Sequence, residues 1–149
     1  GKADLLIAFE KIEALRFAHY LRPGGAMVVN AQEIFPPSVA TGQERYPQGV
    51  AERLRAVTDR LHMVDALAAA LSLREVRTVN IVLVGAASHF LPLPEAAYEE
   101  AMKARLPEKI VAVNVQAFRA GRELLRGQGD TPSLRSGEHQ ACPLKAPAP

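Results

Sequence analysis

Four histidines, one cysteine and two of the serines are the side chains with the means to carry chemistry here. They are His19, His62, His89, His139, Cys142, Ser38 and Ser88. A zinc site on a helix needs two ligands one turn apart on the same face, and no histidine has a second histidine or acid at that spacing. His19 falls on the exposed face of a predicted helix, and His139 lies in a Gly/Pro/Ser-rich C-terminal stretch. His89 falls in a predicted buried segment, where it reads as a core histidine with its hydrogen bonds satisfied. His62 and Asp65 are near in sequence, but a triad also requires a nucleophile held against the base. Ser38 and Ser88 lack the Gly-x-Ser-x-Gly turn that presents a nucleophile between a strand and a helix. Cys142, followed by Pro143, lacks the electropositive setting that activates a thiolate. Gly24-Gly25 follows a helix and reads as a turn, whereas a phosphate cradle joins a strand to a helix. Gly127 and Gly129 are also outside such a context. No catalytic, cofactor-binding or metal-ligating residue is assigned.

Composition narrows the classes further. A single cysteine excludes an internal disulfide framework, and an iron–sulfur cluster needs about four thiolates. The lone thiol suits the reducing cytoplasm, which is the expected location. A net charge of +2 gives no strong field for nucleic acid or an anionic membrane surface. Aromatic residues make up only 5%, with no Trp, so stacking platforms for bases are not expected. The longest apolar run, residues 79–91, is interrupted by Asn80 and His89 and falls short of the roughly 20 residues that span a bilayer. At 149 residues, 48% hydrophobic and 23% charged, the chain has one-domain length and a globular balance.

The elements follow from periodicity. Residues 3–9, "ADLLIAF", are nearly continuously apolar and predict a strand covered on both faces. Residues 10–21 predict a helix with Ala14, Phe17, Ala18 and Leu21 inward and Lys11, Glu13, Arg16 and Tyr20 outward. Pro23-Gly24-Gly25 ends that helix, and "AMVVN", residues 26–30, is a second strand. Strand, helix and strand at this length form a βαβ unit with parallel strands. Residues 31–47 have no period and form a long Pro-punctuated loop. Helical spacing returns at 48–60, residues 61–66 read as a short strand or a connector, and 66–73 form an Ala/Leu helix. Residues 76–91 carry β-branched "VNIVLV", yet the run Gly85, Ala86, Ala87, Ser88 suits a tightly packed buried helix, so the residues alone leave strand and helix both open. Pro94 and Pro107 each open a further helix, ending near 106 and 125. Residues 127–149 are expected to be a disordered tail that contributes nothing to the fold.

Taken together, several of these stretches resemble the gamma-type domain of the 2-oxoacid:ferredoxin (acceptor) oxidoreductases. The indolepyruvate-type beta subunits are nearest in pattern. The shared features are Asp4 to Glu10, Glu13 to Arg16, "YLRPGG" and "VVN" through Asn30, Pro36-Pro37, and Tyr46-Pro47. "VNIVLVGAAS" (79–88) and "PEKIVAVNVQAFRAGREL" (107–124) are similar to the later family segments. The resemblance covers roughly residues 2–126. The family's opening Gly-rich "GxGGQG" turn and "RGG" region are not in this sequence. The N-terminal part of the domain is therefore expected to be missing, with Gly1 near its middle.

The resemblance implies a three-layer α/β/α domain with a mainly parallel sheet and a helix-rich C-terminal half, and together with the small-residue run it makes helix the expectation for residues 76–91. It also implies an accessory, non-catalytic part of an enzyme that oxidatively decarboxylates an arylpyruvate. Thiamine diphosphate and iron–sulfur clusters are expected on a large partner subunit, with ferredoxin and coenzyme A used by the complex. Two other readings stand beside it. "LRPGGAMVV" also looks like the later strands of a class I methyltransferase, although those enzymes continue into a β-hairpin and this chain continues into a Pro-rich loop and Ala-rich helices. A non-enzymatic α/β interaction domain is the third.

Overall fold

A computed structural model describes residues 1–34 and 47–126. The Pro36-Pro37 segment, Ser38, His139, Cys142 and the whole 127–149 stretch lie outside the described residues. Three strands, β1 (Ala3–Ala8), β2 (Leu21–Asn30) and β3 (Leu61–Val64), form a sheet in that spatial order. Both pairings are parallel. The helix α1 (Lys11–Phe17) connects the first pair, and α2 (Val50–Arg55) lies between the second. Then follow α3 (Ala66–Ser72), α4 (Val79–Ala87), α5 (Glu95–Arg105) and α6 (Glu108–Arg126).

The three layers follow from the two-residue period of a strand. On β2, Met27 and Val29 point to one side and join Ala14, Ala18, Val50 and Leu54 of the α1/α2 layer. Val28, pointing the other way, joins Val82, Leu83, Ala86 and Ala117 of the α4/α6 layer. All three β2 side chains are fully buried, worth roughly 1.5–3 kcal/mol each. This is the expected three-layer α/β domain with a parallel sheet and a helical C-terminal half.

Several details differ from expectation. The first helix is shorter than 10–21: Glu10 caps it, and a 3-10 turn, Ala18–Tyr20, follows it. The second strand starts five residues early and includes Pro23-Gly24-Gly25. The register explains this, because Ala3 pairs with Leu21 and Leu5 with Ala26, so β2 bulges past β1. Gly24 takes the left-handed φ of 72° in that bulge, while the Gly25 carbonyl accepts from the Thr58 hydroxyl at 2.7 Å. Phe17, expected inward, is 42% exposed and stacks beside Tyr20. Lys11, expected outward, folds down to pair with Glu33 at 2.6 Å. The helix expected over 48–60 is only Val50–Arg55, and the ambiguous residues 61–66 do begin with a strand. β1 is packed on both faces, Leu5 against the α4/α6 layer and Leu6 and Ala8 against the α1/α2 layer, but as an edge strand among the described residues it leaves Ile7 38% exposed, with Phe9 just beyond its end 54% exposed.

Residues 76–91 are helical as expected, a 3-10 turn (Val76–Thr78), then α4, then a second 3-10 turn (Ser88–Phe90). The small residues account for it. α4 crosses α6 so closely that a Cβ on Gly85 would strike the Phe118 carbonyl oxygen. A Cβ on Gly121 would strike that of Val82. Tertiary contact of this kind overrides β-propensity.

Candidate functional site

In open parallel sheets the crevice outside the carboxyl ends of the strands is where ligands bind, and here three polar side chains close those ends. β1 ends at Ala8, and two residues later Glu10 is buried with its carboxylate turned back on α1. Its Oε2 accepts from the amides of Ile12 at 2.9 Å and Glu13 at 3.1 Å. A carboxylate here satisfies two orphan amides and meets the positive end of the helix. β2 ends at Asn30, 1% exposed. Its amide nitrogen donates to the Phe9 carbonyl and the Gln32 side chain, each at 3.2 Å, and its amide oxygen accepts from the Ala66 amide at 3.2 Å. One side chain thus joins the end of β1 to the start of α3. β3 ends next to Asp65, whose carboxylate caps α3 by accepting from Ala68 at 2.8 Å.

Beside these ends opens a cleft of about 330 Å³, lined by Lys11, Glu33, Pro47, Gln48, Gly49 and Glu52. Its ammonium group, on Lys11, is engaged by Glu33. At this end of the sheet the Glu10 and Asp65 carboxylates cap helix termini, Lys11 is paired with Glu33, and Glu52 with Arg55.

The residues singled out in the sequence scatter. His19 is exposed, with Nδ1 3.1 Å from the Arg16 carbonyl oxygen and its ring 4.1 Å from Tyr20. His62, on β3, lies 4.9 Å from the Phe90 ring. His89 is exposed, which corrects the core reading. It sits in the 3-10 turn after α4, where Nε2 meets the Arg122 carbonyl oxygen at 2.9 Å. The Ser88 hydroxyl donates to the Gly85 carbonyl at 2.6 Å and accepts from Arg122 at 2.6 Å, so it closes a helix end. Glu75 is the carboxylate moved furthest from its ordinary 4.5. The Arg77 guanidinium, held at 2.7–2.8 Å, lowers it to about 2 and is itself raised. That pair is on the surface, away from the sheet ends.

Glu10 and Asn30 were not foreseen as organising residues. Glutamate is not among the favoured N-cap residues, so no sequence rule marks Glu10. Asn30 is marked only as a polar residue closing the apolar run "AMVV". Among the described residues no group of three or more His, Cys, Asp or Glu could hold a metal ion. The chain's one cysteine cannot ligate an iron–sulfur cluster alone, and among the described residues no acidic cluster is present for the metal ion of a diphosphate cofactor. The residues present fit neither group. Among the described residues no helix is long and apolar enough to cross a membrane.

The described residues form a parallel three-layer α/β domain whose strand ends carry the helix-capping Glu10 and Asp65 and the bridging Asn30. Residues 1–124 match the family described as pyruvate ferredoxin/flavodoxin oxidoreductase, and the chain belongs to that family. It is 34% identical over 128 residues to indolepyruvate oxidoreductase subunit IorB of Thermococcus kodakarensis, and 36% identical over 127 residues to that of Pyrococcus horikoshii. Each match covers 81% of this chain and 62% of the relative, so the chain spans about 62% of the length of these curated relatives. The fold is also that of the keto/oxoacid ferredoxin oxidoreductase gamma subunit from Geobacter sulfurreducens, with a TM-score of 0.60 at 21% identity. That match covers 85% of this chain and 66% of the other. The "LRPGG" stretch that resembled a methyltransferase belongs to β2 of this domain.

Proposed function

We infer that the chain acts as an accessory part of a thiamine-dependent 2-oxoacid oxidoreductase whose substrate is an arylpyruvate of the indolepyruvate type. The family match over residues 1–124 carries this reading, supported by the similarity to indolepyruvate oxidoreductase subunits. Its residues supply a scaffold and an interface. Thiamine diphosphate and the iron–sulfur clusters are assigned to a large partner subunit. Oxidative decarboxylation, with electrons passing to ferredoxin and the acyl group to coenzyme A, is assigned to the assembled cytoplasmic enzyme.

The test is co-expression with the thiamine-binding large subunit of the same source. The expected result is co-purification and indolepyruvate-dependent ferredoxin reduction that needs coenzyme A, with no turnover and no thiamine diphosphate binding by this chain alone. Turnover by the isolated chain, or failure to co-purify, would overturn the reading.

A further inference from the structure

An apolar groove opens between α4, α5 and α6 and shares no lining residue with the strand-end cleft. Val84, Tyr98, Ala101, Met102 and Phe118 line it, with the Tyr98 and Phe118 rings stacked 4.9 Å apart. Its volume is about 240 Å³, below the roughly 300–1,000 Å³ typical of sites that enclose a whole small molecule. It is large enough for an apolar side chain presented by another protein, the kind of anchor that dominates interface energetics.

Charge is distributed unevenly around this groove. At the start of α5, Glu95 and Glu99 are paired with Arg119 and Arg122 of α6. At the far end, Arg105 also lines the groove and is exposed. Among the described residues neither it nor exposed Lys103 and Lys109 nearby makes an ion pair. An arginine that lays its methylene stem against apolar surface and keeps its guanidinium free is suited to a planar, bidentate carboxylate.

We propose that this groove seats a large apolar side chain of the large partner subunit, flanked by an Asp or Glu that pairs with Arg105. The proposal rests on the reading of the chain as an accessory part of a larger enzyme, and names the surface it uses.

Two variants at exposed positions test it in the co-expressed complex: Ala101→Trp, which fills the groove, and Arg105→Glu, which reverses the rim charge. Sedimentation velocity across a concentration series reads assembly, and circular dichroism checks that both variants fold with an unchanged melting midpoint. The expected result is assembly weakened at least about tenfold by each, with the Arg105→Glu loss shrinking as salt rises. Wild-type assembly matched within twofold by both variants would overturn the docking assignment and leave the proposed function standing. If wild type itself does not assemble, both fall together.

Discussion

β1 and α4 are alike in sequence and opposite in environment. "ADLLIA" and "VNIVLVGAA" are each apolar nearly throughout, and each predicts an element in need of cover on all sides. α4 has that cover. Val82, Leu83, Gly85, Ala86 and Ala87 are buried, and the two glycines at the α4–α6 crossing let the backbones touch. β1 buries Ala8 alone by the same measure, and its outer edge has no ladder partner among the described residues. Apolarity states how much cover a segment needs. Which segment provides it depends on close-approach residues that only a packed neighbour makes meaningful.

The sharpest way to break this contrast is at the crossing. Gly121→Val places atoms where the Val82 carbonyl lies, and backbone cannot rotate away. The expected loss is about 3 kcal/mol or more, the upper range for overpacking. With total stabilities of roughly 5–15 kcal/mol, urea unfolding should show a much lower midpoint. A midpoint equal to wild type would mean the helices are free to separate. Next in size is Asn30→Leu, which keeps the branched heavy-atom shape and removes the partner of the part-buried Phe9 carbonyl and of the buried Ala66 amide. A loss of about 2–4 kcal/mol is expected from one to two unsatisfied groups. A change below 1 kcal/mol, on the same ~1–3 kcal/mol scale per group, would show that water replaces the amide.

At the open end of the contrast, effects on stability should be small and effects on association large. An exposed apolar edge strand invites pairing with another chain, so wild type is expected to self-associate in light scattering. Phe9→Lys should reduce that association while moving stability by no more than about 0.5 kcal/mol. A wild-type chain that scatters as a monodisperse monomer at high concentration would remove the distinction between the two regions. The smallest effect belongs to the surface. Glu75 should titrate at about 2 in an NMR series, and Arg77→Gln should bring it back toward 4.5. Because the folded value is depressed, the pair's contribution is present above about 4.5 and is lost as pH falls toward 2. Titration of the wild-type residue near 4.5 would refute the pairing.

Much of the architecture was legible in the sequence because it depends on period and on small residues. The βαβ unit followed from two apolar runs and one amphipathic turn pattern, and the helical state of 76–91 followed from Gly85 through Ser88 only together with the family resemblance. The three described histidines, His19, His62 and His89, fall on three separate elements. What was illegible depended on partners distant in sequence. The inward fold of Lys11 is decided by Glu33, 22 residues further on. His89 is pulled to the surface by a carbonyl 33 residues further on. The strand identity of Pro23-Gly24-Gly25 is fixed by register with β1 and by Thr58 and Arg60, which hold its carbonyls from the approach to β3.

Asn30 carries a consequence for how the domain opens. Because one amide group holds the Phe9 carbonyl and the Ala66 amide at once, the two cannot be released independently without stranding a buried donor or acceptor. Local breathing of α3, a helix of only seven residues, would ordinarily let its first amides trade their protons with solvent quickly. Here the Ala66 amide should keep its proton far longer than the helix length suggests, exchanging at the slow rate of the central strand to which Asn30 belongs. A short surface helix thereby acquires the lifetime of the sheet.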